Sequence, residues 1–274
     1  MPPPSTTTPQ PPIQILPATT ADIPSLADIH VAAFQSDLAV QLMFTDAQQH
    51  LAVTSMLEAQ IPSAESIIVK AIDPTNGDIL GWQGCVYMND DDDDTNDSAT
   101  KNNENVTNLD KIADAGLQKQ QQTHGNESTS STTTTTSDTG AFPINPALRT
   151  YISTDGAATR KQFMRTRGRF LLLNTLVVSP THEHRGVGSA LVRWAAATAD
   201  RQDIPSWLQS SPVAAAVYGG AGGFRGVRDL DVDLSEYAPG GKGAMRGWGG
   251  YRFRYMLRDA GGRGGPSGEV VTQR

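Results

Sequence analysis

The sequence predicts one α/β domain built on a mixed, largely antiparallel sheet flanked by helices. Three observations predict it. Residues 66–88 read as a β-hairpin: two apolar, β-branched runs joined by Asp73-Pro74-Thr75-Asn76-Gly77, whose Asn-Gly step favours positive φ. Residues 170–221 read as strand, glycine-rich loop, helix, strand, helix, a βαβα unit. Setting aside three polar, low-complexity stretches leaves roughly 190 residues, enough for one well-cored domain.

In chain order, 13–16 (IQIL) is a first short strand. Thr20, Ala21 and Asp22 offer cap chemistry, Pro24 suits a first helical turn, and Leu26, Ile29, Ala33 and Phe34 follow at helical spacing. A second helix spans about 47–60 and stops before Pro62. The hairpin strands are 66–72 and 79–88. A short helix is expected near 157–166. Residues 170–178 (FLLLNTLVV) form the most apolar run, the pattern of a strand buried on both faces. A helix follows at 187–199, with Val187, Leu191, Trp194, Ala195 and Thr198 on one side. Residues 204–209 make a second apolar strand. Residues 212–221 make a helix, with Ser211 as N-cap. Closing strands are expected at 225–234 and 250–257.

Residues 1–12 (MPPPSTTTPQPP), 89–140 and 260–274 lack the apolar content to offset ordering entropy and are expected to be disordered. The middle stretch holds eleven Asp or Glu against three Lys, a net charge of −8, whereas the whole chain carries −7. The acidic balance therefore belongs to the insert, and the remainder, at about +1, does not repel an anionic ligand. Nothing in the charge calls for nucleic acid. The single cysteine, Cys85, lies in an apolar run and reads as a small buried hydrophobe. Without a signal-like leader or an apolar window of about 18 residues, a soluble, cytoplasmic protein with no membrane segment is expected. The sequons at Asn96, Asn105 and Asn126 all fall in the insert and read as chance matches.

The chemistry concentrates at Leu176-Val177-Val178-Ser179-Pro180 and Arg185-Gly186-Val187-Gly188-Ser189-Ala190. The first amides of a helix have no internal partners, and the helix dipole adds partial positive charge there. Glycines at 186 and 188 let a phosphate approach the backbone, and Arg185 adds a fixed, forked cation. Such a site suits a pyrophosphate. The Gly-Lys-Ser/Thr of a nucleoside-triphosphate loop is missing, and Leu191 stands where a dinucleotide fingerprint needs its third glycine.

This block resembles the acetyl-CoA motif of the GNAT N-acetyltransferases, Arg/Gln-x-x-Gly-x-Gly/Ala, with Arg185, Gly188 and Ala190 at its positions. IPSWLQS (204–210) resembles the family's next strand, and PVAAAVYGGAGGF (212–224) its helix with a tyrosine followed by Gly-Phe. The likeness is strongest over about 170–224, weaker over 13–88, and nearest to fungal-type members; the insert has no counterpart in the family core. The resemblance implies acetyl transfer from acetyl-CoA to a primary amine, with acetyl-CoA lying where two central strands splay. Leu176, Val177 and Val178 would pair with the pantetheine arm, and Arg185 to Ala190 would hold the pyrophosphate. Ser211 would stand where many members have a cofactor-contacting Asn, or serve only as a cap. Tyr218 would be the general acid, or a core aromatic beside Phe224.

The attacking amine must lose a proton, and no base can be assigned from the residues. Asn174 could orient a water but cannot take a proton; Asp37, His182, Glu183 and His184 are candidates by chain position only. His182-Glu183-His184 lacks the helical His-Glu-x-x-His spacing, and Asp90–Asp94 lacks the glycine and glutamate of a calcium loop, so no metal is expected. The cluster Arg160, Lys161, Arg165, Arg167 and Arg169 reads as an exposed face or a substrate lid. Four residues separate Tyr218 from Gly223-Phe224, one more than the family pattern. Glycine's poor helix propensity predicts that the helix ends at Gly219. A non-catalytic acyl-CoA binder and an interaction protein working through the insert remain open as other functions. The acceptor amine and the oligomeric state are not legible.

Overall fold

The computed structural model describes residues 13–89, 145–239, 247–262 and 271–272. The tail at 1–12, nearly all of the acidic insert and its three sequons lie outside the described residues.

Among the described residues, eight strands form one sheet: β1 (Gln14–Pro17), β2 (Ser66–Ile72), β3 (Ile79–Met88), β4 (Phe170–Val178), β5 (Ser206–Ser210), β6 (Arg225–Asp233), β7 (Gly250–Arg258) and β8 (Val271–Thr272). Their spatial order is β1-β2-β3-β4-β5-β7-β6-β8. Neighbours are antiparallel except β4–β5 and β6–β8. The parallel β4–β5 pair is the seam at which the antiparallel run β1-β2-β3-β4 meets the antiparallel run β5-β7-β6. A crossover helix joins it, as a parallel pair requires. Within the segment expected as a C-terminal tail, Ala260–Gly262 forms a 3-10 turn and Val271–Thr272 pairs with β6.

Among the described residues, six helices cover the sheet. On one face lie α1 (Ile23–Phe34), α2 (Leu38–Met43), α3 (Asp46–Gln60) and α4 (Pro146–Met164); on the other lie α5 (Val187–Arg201) and α6 (Ala215–Gly222). Local chemistry sets their starts. A capping box closes on α3, with Thr45 Oγ1 accepting from Gln48 N and Gln48 Oε1 from Thr45 N. Asp37 accepts from Val40 N and starts α2, and Asn145 accepts from Ala147 N and Leu148 N to start α4, with Pro146 at the first position.

Three helices differ from the sequence expectation. Helix α4 begins eleven residues before the expected 157, because Asn145-Pro146 is a complete N-terminal signal. Helix α2 was not anticipated: it is too short for a periodicity to register. Helix α6 starts at Ala215, with Ala214 as an N-cap that makes no side-chain bond, so Ser211 is not its cap. It also runs past Gly219 to Gly222 and stops at Gly223, which takes φ 70°.

Candidate functional site

Strands β4 and β5 are registered over three pairs only: Leu171 with Ser206, Leu172 with Trp207, and Leu173 with Leu208. Beyond Leu208, β5 continues on β7 alone, while β4 continues on β3 through Gly81↔Val178. The two strands therefore open into a fork. Its β4 arm carries Leu176, Val177 and Val178. Gly81 makes the close β3–β4 approach possible, since a Cβ there would stand 2.5 Å from Val177 O. A bulge marks the base of the fork: Gly84 pairs with Thr175 and Cys85 with Leu173, leaving Asn174 as the extra residue.

On the α5 face, the chain leaves β4 at Ser179-Pro180, makes a 3-10 turn over Pro180–His182, and enters α5 through Gly186 at φ 80°. The first helical bond is Ala190 N to Gly186 O at 2.9 Å. The amides of Val187, Gly188 and Ser189 thus have no intrahelical partner. A Cβ on Gly188 would meet Val178 Cγ2 at 3.6 Å and Val217 Cγ1 at 3.8 Å, ordinary contacts. The fold itself does not demand glycine there, so its absent side chain leaves backbone open to a ligand. Arg185 is exposed beside this opening. It and His182 lie near Asp73 on the β2–β3 turn, whose carboxyl is held low by hydrogen bonds from Thr75 and further by these two side chains. Helix start, glycines and guanidinium together can hold an anion.

Tyr218 comes from α6 and is 5% exposed. It packs with Leu173 and Leu208, the last registered pair of the fork, and meets Phe224 edge-on at 5.8 Å between ring centroids. Burial, with Cys85 as a secondary cause, pushes its phenol well above the ordinary value. Burial likewise pushes the Cys85 thiol up to about 12, so it is inert as a nucleophile. Arg258 fixes the end of α6: its Nε donates to Gly222 O at 2.7 Å, while its two terminal nitrogens bind Asp200 at 2.6 and 2.7 Å. Ser211 follows β5 and is half-buried; its carbonyl accepts from Ser210 Oγ at 2.8 Å.

The sequence's base candidates are divided between the two faces. Asp37 is committed to structure, capping α2 at Val40 N and accepting from Tyr251 Oη at 2.7 Å. His182, Glu183 and His184 sit in the loop before α5, at the anion end. Within the basic cluster, Arg167 pairs with Asp259, and Arg169 with Glu65 and over the Tyr87 ring. His30 on α1 packs at a tilt against Phe34 and Trp82, and its Nδ1 lies 3.1 Å from Gln49 Nε2; burial lowers it to about 3, so it is neutral. Sequence reasoning missed Gln60, Gln83, Gln209 and Arg258. For Gln83 and Gln209 a signal existed: a lone amide inside an apolar strand. Among the described residues, no three His, Cys, Asp or Glu are grouped to hold a metal, and no helix is long and apolar enough to cross a membrane.

The order of strands, the fork beside a helix start and the closing β6–β7 pair decide the fold. It is the GNAT fold. Solved structures agree. The chain is similar to polyamine N-acetyltransferase of Drosophila melanogaster at 10% identity, covering 90% of this chain and 100% of that one, with a TM-score of 0.55. Arylalkylamine N-acetyltransferase 2 of Aedes aegypti matches at 14% identity over 90% and 98%, with a TM-score of 0.52. The C-terminal condensation domain of Ebony, solved with beta-alanyl-dopamine, matches at 10% identity over 92% and 100%, with a TM-score of 0.53. No family model and no curated protein matches the sequence. At these identities the likeness establishes the fold alone.

Proposed function

We propose that the protein is an N-acyltransferase that moves an acetyl group from acetyl-CoA to a primary amine. The observation that carries the reading is the fork itself. A parallel pair parts after Leu173 and Leu208, next to a helix start with three free amides, and a tyrosine packs at the point of parting. Acetyl-CoA would place its pyrophosphate on Arg185 to Ala190 and its pantetheine arm along Leu176, Val177 and Val178, with Ser211 at the far edge. The neighbours named for polyamine and arylalkylamine acetylation support an amine acceptor. Blocks such as RGVG and LLLNTLVVSP support a fungal-type member.

The neutral amine attacks the thioester carbon. The carbon–sulfur bond breaks, and N-acetyl amine and the CoA thiolate form while the amine's proton leaves to water. A backbone N–H at Val178 is the donor available to the oxyanion. Tyr218 is the group available to the thiolate. A reference phenol (~10) already lies above a reference thiol (~8.5), and burial widens that gap. Tyr218 therefore serves as a hydrogen-bond donor more than as a full acid.

A second reading, an acyl-CoA binder without catalysis, is favoured by one observation: α6 continues through Gly222 and buries Tyr218 against Phe224. Calorimetric titration with acetyl-CoA, followed by a thiol-release assay over a broad amine panel, separates them. Binding with transfer supports the enzyme, binding without transfer supports the second reading, and no binding sinks both.

A further inference from the structure

Two amides at the base of the fork hold atoms with nothing to bond. Asn174 follows Leu173 and Gln209 follows Leu208, the last pair of the parallel ladder. Both lie on the α1–α4 face, opposite Tyr218. Asn174 Oδ1 stands 2.7 Å from the position a Cβ of Gly84 would take, and Asn174 Nδ2 reaches Gln60 Oε1 at a long 3.4 Å. Gln209 Oε1 stands 3.3 Å from the Cβ position of Gly156 on α4, and Gln209 is registered with Tyr255. Each amide thus occupies space that a glycine on a neighbouring element leaves. Asn174 Oδ1 and Gln209 Nε2 are both buried and both without a partner. Buried polar atoms in native proteins are nearly always paired, and one left unpaired carries its full desolvation penalty. Two such atoms at adjacent positions on either arm of the fork point to a ligand that completes them.

Two carboxylates on this face, Asp155 and Asp37, are already matched. Asp155 accepts from both terminal nitrogens of Arg228 at 2.8 Å and from Tyr255 Oη at 2.6 Å, and Asp37 is held by Val40 N and Tyr251. Burial alone would raise Asp155, but the bonds and charge of Arg228, with Tyr255 and Thr159, together outweigh it and hold the carboxyl below its ordinary value. What the fork base offers is one uncharged acceptor and one uncharged donor. An amine poised to attack can give an N–H to Asn174 Oδ1. Its lone pair must stay free for the thioester carbon, so it cannot also accept from Gln209 Nε2. The donor needs a second atom on the same molecule.

We propose that Asn174 and Gln209 form the acceptor subsite, and that the acceptor is a neutral amine carrying an oxygen on a neighbouring carbon: a vicinal amino alcohol or an α-amino carbonyl compound. Asn174 Oδ1 takes the amine N–H, and Gln209 Nε2 donates to the neighbouring oxygen. The inference rests on the acyltransferase reading above. A site built to hydrogen-bond an oxygen rejects the analogue that lacks it more strongly than an apolar pocket rejects an added hydroxyl.

The test compares 1-amino-2-butanol with butylamine, with acetyl-CoA as donor and rates expressed per neutral amine. Wild type is expected to prefer the amino alcohol at least tenfold in kcat/KM. Gln209→Leu should abolish the preference, and Asn174→Leu should lower kcat/KM for both amines at least tenfold. Neither should change the Kd of acetyl-CoA. Gln209→Leu removes an orphaned polar atom and should leave Tm unchanged or higher, whereas Asn174→Leu exchanges its orphaned oxygen for an unpartnered, buried Gln60 Oε1 and should leave Tm unchanged or lower. Ser206→Ala removes another orphaned atom, at the closed end of β5, and should leave the kinetics unchanged. If Asn174→Leu does not fold, Asn174→Ser serves in its place. Wild type without preference, or both variants with wild-type kinetics, overturns the subsite. Wild type that binds acetyl-CoA and acetylates no amine of the broader panel overturns the acyltransferase reading, and this one with it.

Discussion

Two glycine-rich segments border the fork, and they use glycine for different reasons. At the start of α5, Gly186 adopts a positive φ of 80° with nothing within 4 Å of its Cβ position, and Gly188 has only ordinary contacts around its own. There glycine supplies a backbone conformation at one position and an opening at the other. At the end of α6, a Cβ on Gly222 would stand 2.6 Å from Val192 Cγ1 and 2.8 Å from Phe224 Cδ2, while Gly223 turns the chain at φ 70°. There glycine lets two helices pack closely and then stops one of them. The first segment faces outward, where we propose that a phosphate binds, and the second faces inward to the core. The same letter in the sequence thus marks an opening in one place and a packing constraint in the other.

The largest effect expected from breaking this contrast is at Gly188. A glutamate there would block the opening and set like charge against a phosphate. At about 4 Å and an effective dielectric near 20, that repulsion alone is on the order of 4 kcal/mol, roughly 10³-fold. Gly188→Glu should therefore weaken acetyl-CoA binding by that order, with Tm little changed. An unaltered Kd by calorimetry would remove the phosphate assignment.

Next is Tyr218, which the second segment holds in place. Tyr218→Phe should lower turnover by about 10²-fold with acetyl-CoA affinity nearly unchanged, the pattern of a lost proton or hydrogen-bond donor. Turnover within twofold of wild type would show the residue to be packing only, consistent with its edge contact to Phe224.

Gly222→Ala probes the inward role. The new methyl meets a β-branched side chain and an aromatic ring, neither able to swing away, and overpacking of this kind costs about 1–3 kcal/mol. Chemical denaturation should show that loss. A neutral substitution would mean that α5 and α6 are less tightly packed than these distances require.

How far the sequence could be read follows from the same contrast. The boundaries of β2, β3 and β4 are legible because apolar, β-branched runs are bounded by turn residues and by Ser179-Pro180. The α5 start is legible because its chemistry is local. The fork base was not. Asn174 stands out in FLLLNTLVV, but that it is a bulge depends on its register with Gly84, a non-local fact. Nor could Gln209 be placed beside it without the parallel pairing. Helix α6 departs from its local propensity for a related reason. Its glycines argue locally for an end at Gly219, yet Val192 packs on Gly222 and Arg258 bonds its carbonyl, and tertiary contact overrides propensity. Nothing in the sequence near 222 announces an arginine 36 residues later.

The smallest predicted effect tests that override directly. Gly220 lies inside α6 with nothing within 4 Å of its Cβ position, so it neither packs nor adopts a conformation that only glycine can take. If the helix persists through Gly222 in solution, Gly220→Ala removes backbone freedom from the unfolded chain without a clash in the folded one. Such substitutions stabilise by about 0.4–1 kcal/mol. For a domain of this size that raises Tm by roughly 1–4 °C. Turnover should stay the same, because Tyr218 is anchored by Phe224 and the Arg258 bond and not by the flexibility of its own helix. Two other outcomes are informative. An unchanged or lowered Tm would mean that the helix frays at Gly219, as propensity alone predicts, and that Tyr218 sits at a loose end. A raised Tm with reduced turnover would mean that the glycines are there for motion, so that stiffening α6 slows a step in which Tyr218 must move.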